Sequence, residues 1–158
     1  MQRFFYVWFD LNGRIDRRTW LAFAIMLAVL EYITELAIRR AFHLPPPAAG
    51  SGSPFLSAYL GDEVSLLGEL IFLWPSLAID IKRWHDIGRS GWYTLIVYAP
   101  GLLLLVLGAA GAGGTASHPD PGISAFLSIF GVILLAYFII LAARKGAPVA
   151  NRFGPAPS

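Results

Sequence analysis

Four long apolar stretches, separated by short polar or basic segments, set the rhythm of the chain. They cover residues 19–42, 64–81, 92–110 and 123–143. A helix needs about 20 mostly apolar residues to cross a hydrocarbon core of about 30 Å. Each stretch therefore predicts a membrane-spanning helix. The third and fourth contain no charged residue, whereas the first contains Glu31 and Glu35 and the second Glu69 and Asp80. Pro75 and Pro100 fall inside predicted spans and should bend them, and Gly101, Gly108, Ala112 and Gly131 allow close helix approach. The first stretch starts late, after an aromatic and basic segment, and has no small-residue cleavage site, so it reads as a retained span rather than a signal peptide.

Composition strengthens this reading. Hydrophobic residues make up 56% of the 158 and charged residues only 14%, and the mean hydropathy is +0.62. Soluble domains hold roughly 45–50% apolar and about 25% charged residues. The length suits one domain, 1–158. No cysteine is present, which excludes disulfides, thiolate metal sites and cysteine nucleophiles.

Charge then orients the spans. Ten of the twelve Lys and Arg lie in the N-terminal segment, in residues 82–91 and in the tail from 144 onward; the other two are Arg39 and Arg40. The positive-inside rule puts the three basic regions in the cytoplasm. Four spans return both termini to one side, so count and charge agree. The predicted fold is an all-α, integral-membrane four-helix bundle with cytoplasmic termini. Basic clusters separated by apolar runs do not form the single soluble face of a nucleic-acid binder. The intervening loops, 43–54 and 111–122, are rich in Pro, Gly and Ser and predict irregular outer linkers.

Candidate chemistry is concentrated in "WHDIGRSGW", residues 84–92. Trp84 and Trp92 are expected near the headgroup layer, and Ser90 is placed to cap the third helix. Arg89 beside a helix N-terminus suits a phosphate. His85 and Asp86 form an acid–base candidate, but neighbours in sequence do not face each other on a helix. A second set is acidic. Glu31 and Glu35 lie on one helix face at i, i+4, and Glu69 falls at a depth similar to Glu35. Ionisable groups in a span normally face the bundle or a wet cavity, so the three predict a proton or cation site. The alternative is that Glu35 simply pairs with Arg39. Asp80 is expected to pair with Arg17 or Arg83. The three histidines are scattered, no Gly-rich nucleotide loop or nucleophile elbow occurs, and no metal or cofactor is expected.

Three motifs resemble the bacterial inner-membrane family known as domain of unknown function 805. They are "GRIDRRTWLAF" (13–23), "IKRWHDIGRSGWY" (81–93) and "NRFGPAP" (151–157). Asp16 stands where that family often has Ser; both cap helices, so the first helix should begin there. Lys82 and Trp84 depart mildly from the central signature. The resemblance implies a small multi-helix protein of the bacterial inner membrane and no established reaction. All three motifs fall on the predicted cytoplasmic side (13–18, 82–91 and 144–158), where they are expected to meet.

The leading expectation is a non-enzymatic membrane module that binds anionic lipid or a protein partner. Arg14, Arg17, Arg18, Arg83, Arg89 and Arg152 would supply charge, Trp20, Trp84 and Trp92 anchors, and His85, Asp86, Ser90 and Asn151 the rest of the surface. A small homo-oligomeric or proton-coupled carrier using Glu31, Glu35 and Glu69 is the alternative. A lipid-headgroup enzyme using His85 and Asp86 is the third reading, and no nucleophile or metal set accompanies that pair.

Overall fold

Asp16 starts the first helix. In the computed structural model, which describes residues 7–45, 63–109, 114–115, 118–119 and 121–157, its carboxylate accepts from the backbone N–H of Thr19 at 3.0 Å and of Arg18 at 3.3 Å. A helix N-terminus leaves such donors unpaired, and a capping carboxylate satisfies them. Helix α1 runs Arg17–Ala41 and α2 Glu63–Asp86. A 3-10 turn, Gly91–Thr94, feeds α3, Leu95–Ala109. Helix α4, Pro121–Ala143, opens on a proline, whose missing N–H costs nothing in a first turn.

The helices follow the four apolar stretches, with one shift. Residues 82–86, expected in a loop, continue α2, because nothing before Gly88 favours leaving the helix. The greater part of the two expected outer linkers, 43–54 and 111–122, lies outside the described residues. Within the second, Gly114–Thr115 and His118–Pro119 form a two-residue antiparallel pair. The described residues are otherwise all-α.

Among the described residues, α1 and α4 are long and apolar enough to cross a membrane, which suggests a membrane location. The outer faces agree with that. Ile25, Val29 and Ile33 on α1, Val106 on α3, and Ile129 and Val132 on α4 are all exposed. Monomeric soluble proteins rarely show a contiguous apolar belt of this kind, and hydrocarbon is the solvent that suits it.

Inside, one carboxylate joins the four long helices described. Asp80 of α2 accepts from Trp20 Nε1 of α1 at 2.8 Å, from the Tyr98 hydroxyl of α3 at 3.1 Å and from the Tyr137 hydroxyl of α4 at 3.1 Å. Tyr137 in turn accepts from Trp84 Nε1 at 3.1 Å. Asp80 was expected to pair with Arg17 or Arg83. The structure corrects this: Arg17 faces out, Arg83 is engaged elsewhere, and aromatic donors satisfy Asp80. Around this node α1 lies along α2, α4 packs on α1, and α3 leans on α4.

Removing the first cap should loosen α1. Asp16→Ala is expected to cost about 1 kcal/mol, read as a lower melting temperature in detergent micelles; an unchanged value would show the cap to be dispensable.

Candidate functional site

The C-terminus of α2 builds the site. The helix ends by a double closure: Gly88 N–H donates to His85 O at 3.0 Å and Arg89 N–H to Trp84 O at 2.9 Å. Gly88 sits at φ 83°, a left-handed conformation that a side chain disfavours and that ends helices with these paired bonds. Ser90 then caps the 3-10 turn, its hydroxyl facing Trp92 N–H at 3.5 Å. "WHDIGRSGW" is thus a helix stop followed at once by a helix start. The stop presents His85 and Asp86 at one end of the bundle.

Asp86 is the centre. Its Oδ1 accepts from Arg14 Nε at 3.2 Å and Arg14 Nη2 at 2.9 Å, and its Oδ2 from Arg83 Nη1 at 2.5 Å. All three side chains are at most 3% exposed. Two guanidiniums against one carboxylate leave one positive charge over, and backbone carbonyls absorb it. Arg14 donates also to the carbonyls of Ala147 at 2.5 Å, Val149 at 2.8 Å and Gly154 at 3.3 Å. Arg83 donates to Leu141 O at 2.8 Å and to Arg144 O. Leu141 belongs to the last turn of α4, whose final carbonyls lack helical partners and carry the negative end of the helix dipole. Arg83 therefore caps α4 while it holds Asp86.

The tail from 146 onward closes the arrangement. Ala147 N–H donates to Asp86 O at 2.8 Å, and Asn151 Nδ2 to His85 O at 3.0 Å, so the tail bonds to the last carbonyls of α2. Asn151 and Gly154 exchange backbone bonds at 3.0 Å, and Asn151 Oδ1 accepts from Phe153 N–H at 2.9 Å. Gly146 lies against Asp86 so closely that a Cβ there would overlap the carboxylate.

His85 packs beside this knot. Its Nδ1 lies 3.2 Å from Gly13 O, and its ring stacks on Phe153 at 3.8 Å and 6°. Arg152 sits over the same phenyl ring, 4.6 Å from its centroid. Burial lowers the His85 pKa below the usual imidazole value; the Gly13 carbonyl opposes this and Arg152 adds to it. Lys82, fully buried, donates to Val7 O at 3.0 Å. Burial pushes its pKa down to about 8, with Asp10 working against the shift.

The three motifs therefore meet, as expected, but largely as an interior joint. Arg14, Arg83, Asp86 and Asn151 come together, with His85 alongside. His85 and Asp86 do not pair with each other; each has its own partners. Arg14 and Arg83 point inward and have no charge to offer a headgroup. Trp84 is buried, stacked on Tyr93 at 5.0 Å, whereas Trp92 is 77% exposed. Arg17, Arg18, Arg89, Arg144, Lys145 and Arg152 remain exposed around the joint. Sequence reasoning missed Gly146, the interior position of Lys82 and the partners of Asp80. An acid inside a span is a signal in itself, but its aromatic partners on three other helices carry no sequence mark.

Arg39 holds Glu35 at 2.8 and 3.0 Å, as the simpler alternative expected. The Glu69 side chain lies outside the described residues. Glu31 lines a cavity of about 370 Å³ between the helices, and Asp80 lines it too.

Two measurements check the joint. Asp86→Asn leaves two buried guanidiniums without their carboxylate, and breaking such a buried set costs about 3–5 kcal/mol; Gly146→Ala, which crowds the same oxygens, should lower the melting temperature in the same direction. The second is a pH profile. His85 titrates lower in the folded protein than its unfolded value of about 6.5, so the unfolded chain binds the proton first. Its stability contribution is full above that value and falls as the pH drops from there toward the folded pKa. Melting temperature should decline across that window, and His85→Phe, which keeps a flat ring but cannot ionise, should flatten the decline.

No curated protein and no solved structure matches this chain. One family model does, described as "Protein of unknown function (DUF805)", and it covers residues 8–155. That span takes in the Arg14–Asp86–Arg83 joint and the tail that closes it, and the chain belongs to this family.

Proposed function

We propose that the protein is a non-enzymatic, integral membrane module that engages anionic lipid headgroups at its cytoplasmic end. All four helices span the bilayer in this reading, and both termini lie inside. The charge distribution supports that orientation, because the joint end holds the basic clusters and cytoplasmic flanks favour Lys and Arg.

One observation carries the reading. The joint consumes Arg14, Arg83 and Asp86 internally, and six cations remain on its outside: Arg17, Arg18, Arg89, Arg144, Lys145 and Arg152. Among the described residues, none of the six makes an ion pair. They ring the end of an apolar bundle, with the exposed Trp92 indole beside them. An apolar belt meeting unpaired cations and an interfacial tryptophan is the chemistry of a negatively charged headgroup layer. Each Lys or Arg near such a surface contributes about 1 kcal/mol. The joint gathers the backbone segments that carry them at one end of the bundle.

The test is lipid retention. Wild type purified from a mixed phosphatidylethanolamine–phosphatidylglycerol membrane should retain phosphatidylglycerol in excess, measured by mass spectrometry of the bound lipid. Combining Arg17→Ala, Arg18→Ala, Arg89→Ala and Lys145→Ala should remove that excess and leave the melting temperature close to wild type, since none of the four side chains enters the joint. Equal retention by both proteins would overturn the proposal.

A further inference from the structure

A cavity between the helices is a feature that the joint does not explain. It is lined mainly by apolar and aromatic side chains, among them Phe72, Val97, Leu102 and Phe138. Among the described residues, the carboxylates of Glu31 and Asp80 reach it and no Lys, Arg or His lines it. Trp20, which binds Asp80, lies eleven residues before Glu31 on α1, about 16 Å of helical rise. The acids therefore mark two ends of an elongated space. Asp80 already has three donors. Glu31 is half-buried, packs toward Gly68 of α2, and has no hydrogen-bond partner among the described residues.

An entrance exists as well. Helix α3 leans on α4 and on its own 3-10 turn; among the described residues its backbone stays apart from α2, which it reaches through side chains such as Tyr98 on Asp80. Leu70 of α2 and Leu102 of α3 line the cavity and are also about half exposed on the apolar outer surface. Pro75 and Pro100 each remove a backbone bond from the two helices that flank this seam. A solute dissolved in the bilayer thus has a lateral route into the cavity.

The geometry points to a binding site for a hydrophobic amine, a monocation with an apolar body, entering between α2 and α3. Charge complementarity selects this occupant. An acid facing an apolar space is costly unless it meets a cation or a donor, and an ammonium group supplies both to Glu31. Aromatic walls add cation–π attraction, and the cavity volume suits a body of one ring and a short chain. This site is separate from the headgroup platform, and it stands or falls independently of it.

The experiment compares two probes of nearly equal shape, 4-phenylbutylamine and 4-phenylbutan-1-ol. Binding of each to the full-length protein in nanodiscs is measured by equilibrium dialysis, with protein-free nanodiscs subtracted. Wild type is expected to bind the amine at least about tenfold more tightly than the alcohol. Glu31→Gln, which removes a charge but no described hydrogen bond, should cut that preference several-fold. Ala28→Phe, which fills part of the cavity from α1, should weaken both probes together. Equal affinity for amine and alcohol would mean that the cavity holds only apolar chains, and would overturn the proposal. An amine preference untouched by Glu31→Gln would overturn it too.

Discussion

A single buried carboxylate, that of Asp86, holds the three polar segments of the chain together. Its two oxygens are shared between Arg14, which precedes α1, and Arg83, one turn back on α2. Both guanidiniums then extend to carbonyls of α4 and the tail. The energetics are those of an all-or-nothing set. Each cation is buried, so each is tolerable only while the carboxylate and the carbonyls are in place. Local features serve that arrangement: the left-handed Gly88 stops α2 where Asp86 faces inward, and Gly146 leaves room for its oxygens.

The bundle solves the problem of a buried acid twice, by different means. At the joint, Asp86 is met by formal positive charge. Deeper in, Asp80 is met by one indole and two phenols from three helices. Neutral donors suit that depth, since each also supplies a large apolar body to the core. The Asp80 node fixes how the helices are arranged around one another, whereas the Asp86 joint fixes how their ends are connected. Between these constraints lies the cavity, lined by residues of α1, α2, α3 and α4.

Much of the architecture was legible in the sequence. The apolar stretches located all four helices, because hydrophobic length is a local property. Asp16 and Ser90 were legible as caps for the same reason: a cap acts within three residues. The partners of Arg14, Arg83 and Trp84 were not. A basic residue beside an apolar run reads as an interfacial charge, and only the folded chain shows that a carboxylate 72 positions away claims Arg14. Asp80 misled in the opposite direction. Nearby arginines suggested an ion pair, while its actual partners were aromatic residues already explained by burial. Glu35 followed the simplest local rule, pairing with Arg39 one turn on.

The tail's part in the joint bears on the order in which the molecule is made. Residues 147–154 emerge from the ribosome after all four helices have been synthesised. Until they do, Arg14 has no carbonyls from Ala147, Val149 or Gly154, and the end of α2 lacks its bonds from Ala147 and Asn151. Folding of the helices and completion of the joint are therefore separate events in time. A nascent chain stalled before the tail would hold its helices with that end of the bundle open and the Arg14 guanidinium short of three of its acceptors.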